Sequence, residues 1–266
     1  MKNKKYLVIG NPISHSLSPK LQNHWLKENK IDAIYDKIKL ESNEIKNFID
    51  DIKQQHVAGC NVTVPFKKEV IPFLDELSLE ANLTQSVNTI IFKNGNLIGH
   101  NTDVVGFDRA IKSLNLKMEG KKIFVLGAGG VVPSIIYALK KMNVFEITVS
   151  NRTRQKAEKL IENFKDLKIV NWGDIVDFDV IINATSLGLN NEFINLDFSK
   201  AGTNKLFYDV IYNPKETNFL KEGKKLGNKI ENGRLMFIYQ ASEAFKLWHG
   251  IYPQIDAKMF KILDND

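Results

Sequence analysis

Residues 122–130 read Lys122-Ile123-Phe124-Val125-Leu126-Gly127-Ala128-Gly129-Gly130. A short apolar run that ends abruptly in glycines reads as a buried strand closed by a tight turn. A helical pattern from Ser134 to Met142 follows, and then a second apolar strand, Ile147 to Ser150. Strand, glycine turn, helix and strand form a β-α-β unit. Its turn brings backbone N–H groups to an anion at the start of the helix. One position departs from the usual G-x-G-x-x-G/A pattern: the bulky Val132 stands where a third small residue is expected, and Pro133 after it fits only a first helical turn.

The second strand decides which dinucleotide the turn suits. An NAD site places an acidic residue at the end of that strand to take the ribose 2′-hydroxyl. Here the strand ends in Asn151-Arg152-Thr153-Arg154-Gln155-Lys156, and Glu146 lies at its other end. A guanidinium fork matches a 2′-phosphate and has no partner on a plain ribose. Basic residues are also unfavourable at a helix start unless an anion is bound there. The residues therefore point to a Rossmann-type NADP site.

Working back toward the N-terminus, short apolar runs again alternate with helical patterns. Strands are expected at Tyr6–Ile9, Ala33–Leu40 and Cys60–Val64, with helices after Ser18-Pro19, over Glu44–Ile52 and over Val104–Leu114. Val87–Phe92 and Leu97–Gly99 flank Lys93-Asn94-Gly95-Asn96, a hairpin turn. Further strands are expected at Val180–Ile182 and Leu206–Val210, and a closing helix over Leu235–Trp248. This order implies a mainly parallel α/β sheet. With 266 residues, the chain is long enough for two modest domains.

Composition excludes several classes. Hydrophobic residues make up 43% and charged residues 26%, as in an ordinary globular protein. The net charge of +6 comes from scattered lysines, without a basic stripe or interleaved aromatics, so no nucleic-acid partner is expected. Cys60 is the single cysteine, which rules out an intrachain disulfide and fits a reducing, cytoplasmic setting. The five histidines lack ligand-like spacing, so no metal is expected. No apolar run reaches the length of a membrane span or of a signal peptide's core.

Polar side chains gather in short strings in the first hundred residues. Ser16 and Ser18 stand two residues apart before a helix, with Ser18 placed to cap it. Asn61-Val62-Thr63-Val64-Pro65-Phe66-Lys67 is a strand stopped by proline, with Lys67 just past its end. Asn88-Thr89 and Asn101-Thr102-Asp103 likewise sit at strand ends or loop entries. In open α/β sheets ligands lie beyond the carboxyl ends of strands, which is where these groups emerge.

Taken together the strings are specific. GNPISHSLSP (10–19), NVTVPFK (61–67), SVNT (86–89), GHNTDVVG (99–106), VLGAGG (125–130), NRT (151–153), NATSLG (183–188), YDVIYNPKET (208–217) and the tail Gln240-Ala241, Phe245, Trp248-His249-Gly250 occur in that order. The chain resembles the shikimate dehydrogenase family from end to end. The resemblance implies an α/β fold with an N-terminal α/β substrate-binding domain, a Rossmann-type NADP-binding domain and a cleft between them. The first domain would comprise residues 1–102 with 236–266, and the second residues 103–235. It implies shikimate and 3-dehydroshikimate as the small-molecule substrates. Ser16 and Ser18 would bind the substrate carboxylate. Thr63, Asn88, Asp103, Tyr212 and Gln240 would hold ring hydroxyls or line the pocket, and Lys67 and Asp103 would be the catalytic pair. Lys67 would act either as a base or as a charged stabiliser of alkoxide.

For the cofactor, the resemblance implies that Gly127, Ala128, Gly129, Gly130 and Val131 hold the pyrophosphate. Asn151, Arg152, Thr153, Arg154, Gln155 and Lys156 would hold the adenosine 2′-phosphate, and Val210 and Gly233 would lie beside the nicotinamide. The chain departs from the family pattern at Val131-Val132-Pro133, at Gly233-Arg234-Leu235-Met236 and at Val210. These departures bear on the grip on NADP and on its preference over NAD. The competing readings are a quinate/shikimate dehydrogenase of broader cofactor use and a catalytically silent NADP-binding module. A monomer or a homodimer is expected.

Overall fold

The computed structural model describes residues 4–264. Two compact units are present, one built from the chain up to Gly106 and again from Ile238 onward, the other from Phe107–Phe237. These borders fall a few residues beyond those expected at 102/103 and 235/236. Both lie inside helices that continue past the polar strings marking their starts.

The first unit contains β1 (Lys4–Gly10), α1 (Ser18–Glu28), β2 (Ala33–Lys39), α2 (Ile45–Lys53), β3 (Gly59–Val62), β4 (Glu76–Leu77), α3 (Leu79–Thr84), β5 (Thr89–Lys93), β6 (Asn96–His100) and the start of α4 (Thr102–Ser113). Its sheet runs β2-β1-β3-β5-β6-β4. The β1, β2 and β3 strands are parallel, whereas β5 pairs antiparallel with both β3 and β6. The first sheet is therefore mainly parallel, as expected, and antiparallel only where β5 pairs. The reason is the hairpin itself: Asn94 and Gly95 have φ of 54° and 86°, the left-handed pair that a two-residue turn needs, and they reverse the chain. Helix α2 buries Ile45, Phe48, Ile49 and Ile52, one face at helical spacing.

The second unit continues with β7 (Lys122–Leu126), α5 (Val132–Lys141), β8 (Glu146–Ser150), α6 (Arg154–Glu158), β9 (Lys168–Val170), β10 (Val180–Asn183), β11 (Leu206–Asp209), α7 (Asn218–Lys225) and β12 (Lys229–Glu231), and with the start of α8 (Arg234–His249). Its strand order is β12-β11-β10-β7-β8-β9, all parallel. Strand order reverses at β7, so β7 and β10 flank a switch point, where α/β sheets open to ligands at their carboxyl ends. Phe124, Phe178, Phe198, Phe207 and Phe219 fill the core beside this sheet. No helix among the described residues is long and apolar enough to cross a membrane.

From Ile238 on, α8 belongs to the first unit, as does α9 (Ala257–Asp264). Trp248 near its end stacks obliquely on Tyr6 and donates its indole hydrogen to Ile90 O at 3.1 Å. The indole lies against the bare backbone of Gly59, where a Cβ would come within 2.4 Å of Nε1. A side chain there forces the ring off its hydrogen bond. Gly59→Ala is expected to destabilise this unit by about 1–3 kcal/mol, read as a lowered thermal midpoint. An unchanged midpoint would show that the indole yields freely.

Candidate active site

The Val64-Pro65 step follows β3, and the chain then turns through the buried Phe66. Lys67 O accepts from Val87 N at 2.8 Å, which fixes the lysine backbone beside Asn88. Its side chain turns inward, and Nζ donates to Asp103 Oδ2 at 2.5 Å. Both side chains are about nine-tenths buried, at 11% and 9% exposure. A buried charge needs partners, and the Asp103 carboxylate has Lys67 on one oxygen and Asn88 on the other, while Asn101 holds the Asp103 backbone. Asn88 Nδ2 donates to its Oδ1 at 2.9 Å, and its own N–H donates to Asn101 Oδ1 at 3.2 Å. It also stands in the first turn of α4, where the helix dipole favours a carboxylate. An ammonium has three hydrogens, so Lys67 keeps two for another oxygen.

Asn88 is held on every side. Its Nδ2 also donates to Thr102 Oγ1 at 3.0 Å, and its Oδ1 accepts from Thr102 N at 2.7 Å. Thr63 follows β3 directly, with its N–H on Ile9 O at 2.9 Å, and is half-buried. Gln240 lies on the part of α8 that belongs to this unit, next to Ala241, whose carbonyl accepts from Gln22 Nε2 at 3.0 Å. The first unit thus contains Ser16, Ser18, Thr63, Lys67, Asn88, Asp103 and Gln240.

Ser18 does not cap α1 as its place before Pro19 suggested. It is the first residue of the helix, the position before it is Leu17, and no side chain caps that end through Leu17. Ser16 Oγ instead accepts from Ser18 N at 3.3 Å.

In the second unit the glycine turn sits where the sequence puts it. Gly127 has φ of 113°, and a Cβ there would lie 2.8 Å from Ala184 O, so only glycine fits between the ends of β7 and β10. Beside Gly129 nothing lies within 4 Å of an added Cβ, which leaves open space next to the backbone leading into α5. Val132 is fully buried in the first turn of α5, with Pro133 after it, so the two unusual residues are absorbed by core packing and by proline's helix-start geometry.

The basic string is divided. Arg154 turns along its own helix, with Nε on Glu158 at 2.7 Å and Nη1 on Asn171 Oδ1 at 2.7 Å. Asn151 Nδ2 donates to Thr153 O at 2.7 Å. The side chains of Arg152 and Lys156 are exposed and make no ion pair or hydrogen bond among the described residues. Val210 and Gly233 are brought together: a Cβ on Gly233 would meet Val210 O at 2.0 Å, and Gly233 N donates to Ile211 O at 3.0 Å. Tyr212 lies in the loop just after, its ring stacked on Phe237 at 4.5 Å. No group of three or more His, Cys, Asp and Glu residues among the described residues could hold a metal ion.

One buried knot was not singled out from the sequence. Asp209, fully buried at the end of β11, accepts from Thr217 Oγ1 at 2.6 Å, Asn183 Nδ2 at 3.0 Å and Ile211 N at 3.0 Å. Asn183 Oδ1 in turn accepts from Thr185 N and Oγ1. The knot joins the loop that packs on Gly127 to the loop that packs on Gly233. Its signal lay in the YDVIYNPKET and NATSLG strings, as polar residues at strand ends with no evident surface role.

A parallel sheet with a glycine turn at its switch point, in a chain that also buries a lysine–aspartate pair among hydroxyls and amides, defines a dinucleotide-dependent α/β oxidoreductase. Comparison narrows the class. Residues 8–90 match the profile described as shikimate dehydrogenase substrate binding domain, and residues 108–207 match that described as shikimate / quinate 5-dehydrogenase. The chain is 52% identical over 262 residues to the NADP(+) shikimate dehydrogenase of Pelagibacter ubique, covering 98% of this chain and 99% of that one. It is similar to the crystal structure of shikimate dehydrogenase from Aquifex aeolicus, with TM-score 0.91, 37% identity and coverage of 100% and 98%. It is also similar to shikimate 5-dehydrogenase from Thermus thermophilus in complex with NADP(H) and shikimate, with TM-score 0.89, 30% identity and coverage of 98% of each chain. The chain belongs to the shikimate dehydrogenase family.

Burial pushes the Asp209 carboxyl up to about 6 against the pull of its hydrogen-bond donors. The folded chain then holds a proton between about pH 4 and 6 that the unfolded chain has lost. The stability tied to this proton is full below the unfolded value and is lost as pH rises through 6. Asp209→Asn is expected to remove that loss, flattening the fall in unfolding free energy between pH 4.5 and 7.5 by on the order of 2–3 kcal/mol. Denaturant unfolding of both proteins at the two pH values checks it; parallel pH dependences would contradict it.

Proposed function

We propose that the chain is an NADP-dependent shikimate dehydrogenase. It interconverts 3-dehydroshikimate and shikimate, oxidising or reforming one ring hydroxyl, within the chorismate and aromatic amino acid pathway. The observation that carries this reading is the buried Lys67 Nζ–Asp103 Oδ2 contact of 2.5 Å. An exposed ion pair contributes little to stability, and a buried one is expensive to assemble, so its retention suits chemistry.

The described residues fit NADP. The opening beside Gly129 leaves room for a pyrophosphate at the start of α5, and Arg152 and Lys156 offer cationic donors at the end of β8. Gly127, Ala128, Gly129, Gly130 and Val131 are assigned to the pyrophosphate, and the 151–156 string to the 2′-phosphate. Within that string Arg152 and Lys156 take the direct role and Arg154 braces the loop. Val210 and Gly233 are assigned to the nicotinamide end. When bound, the nicotinamide accepts or returns the hydride.

The remaining steps belong to the chain's own groups. Ser16 and Ser18 hold the carboxylate, and Thr63, Asn88 and Gln240 hold the ring. In the direction of ketone reduction, Lys67 uses its remaining N–H groups to bind the carbonyl oxygen and passes a proton to it as negative charge develops. In oxidation the same nitrogen receives that proton. Asp103 keeps Lys67 aimed and accepts from the neighbouring hydroxyl. The scattered basic charge gives no nucleic-acid partner, and a cytoplasmic location is part of this reading.

Lys67→Met is expected to lower kcat for shikimate oxidation by roughly a hundredfold or more, with little change in the shikimate KM. Absorbance at the NADPH band reads it, and a variant with near wild-type turnover would sink the assignment. Arg152→Ala is expected to raise the KM for NADP well above any change for NAD, since only NADP carries the 2′-phosphate. Equal changes for both cofactors would remove Arg152 from that role.

A further inference from the structure

Asp103 presents Oδ2 to Lys67 because Oδ1 is already occupied by the Asn88 amide hydrogen. An amide can sit either way round. Reversed, it would turn its oxygen toward the carboxylate and repel it. Thr102 N and Thr89 Oγ1 both donate to Asn88 Oδ1, at 2.7 and 3.1 Å, which selects the productive orientation. The Thr89 hydroxyl points its hydrogen at Asn88 because its lone pair accepts from Asn61 Nδ2 at 2.9 Å. Asn61 is itself oriented by Tyr35, whose hydroxyl donates to Oδ1 at 2.6 Å. Thr89 is 0% and Tyr35 3% exposed, so water offers neither a ready substitute. Donors therefore run in one direction, from Tyr35 through Asn61, Thr89 and Asn88 to Asp103.

We propose that Tyr35, Asn61 and Thr89 are positioning residues for the Lys67–Asp103 pair. The inference rests on the reading of Lys67 and Asp103 as the reacting groups and extends it to side chains that need never touch substrate or cofactor. A chain that served only to satisfy buried polar groups would affect stability alone. A positioning chain affects turnover, because each link sets the orientation of the next.

The test compares Tyr35→Phe, Thr89→Val, their double variant and Thr89→Ser by kcat and KM for shikimate. NADP affinity by fluorescence titration and the thermal midpoint are measured alongside. Tyr35→Phe and Thr89→Val are each expected to lower kcat about tenfold, the worth of one well-placed buried hydrogen bond. The double variant falls no further than the worse single one, NADP affinity is unchanged, and Thr89→Ser restores turnover by restoring the hydroxyl. Turnover at the wild-type level in both single variants overturns the proposal, even with a lowered thermal midpoint. Multiplied losses in the double variant, or a Thr89→Ser as slow as Thr89→Val, overturn it as well. If Tyr35→Phe does not fold, the Thr89 pair decides alone. Lys67→Met assayed beside them separates the two readings: an inactive Lys67→Met with a fully active Thr89→Val removes the chain and leaves the pair's role standing.

Discussion

A lysine ammonium and an aspartate carboxylate are held out of water at the head of a helix, and the first unit is arranged around the cost of keeping them there. Removing two such charges from water costs several kcal/mol per ion even in real proteins, and their mutual attraction offsets this only with further hydrogen bonds. Here those bonds come from Asn88 and from the start of α4, whose first turn Asn101 braces by accepting from the Asp103 N–H. Each helper is itself buried and needs partners, so the demand passes outward to Thr102, Thr89, Asn61 and Tyr35. The hairpin of β5 and β6 carries Asn88 at one edge and leads to Asn101 at the other, so the mixed sheet brings both amides to one place.

The second unit solves a different problem, which is to leave backbone accessible. Its functional positions are close backbone approaches: Gly127 against Ala184 and Gly233 against Val210. Such approaches hold only if the loops they join are fixed, and the Asp209 knot fixes them through neutral donors. A carboxylate met only by neutral donors stays costly when ionised, which is why burial dominates its titration.

Much of this was legible in the sequence, and what was not has physical reasons. The glycine turn could be read because its conformational requirement is local and glycine alone meets it. The hairpin could be read because Asn94-Gly95 suits a left-handed pair of residues. The antiparallel pairing of β5 with β3 was not read, because strand direction depends on pairing partners that local pattern does not specify. Short β4, β9 and β12 and the short helices α3, α6 and α7 carry too few residues for a periodic signal. Ser18 read as a cap because serine before proline usually caps, yet the helix already begins at Ser18, whose backbone N–H turns to Ser16 Oγ. Arg154 read like Arg152, and only the positions of Glu158 and Asn171 separate them. The Lys67–Asp103 contact joins residues far apart along the chain, so it was reachable through family resemblance and not through spacing.

The first unit takes up the chain again at Ile238, after the whole of Phe107–Phe237. Trp248 against Gly59, its indole on Ile90, and Gln22 on Ala241 are contacts that need this returning segment. During synthesis, which proceeds from the N-terminus, every residue of the second unit leaves the ribosome before those contacts can close. The unit that begins first is thus the one that finishes last. Its early strands wait, with the Trp248 berth on β3 still open, while the later-encoded sheet has its full sequence in hand.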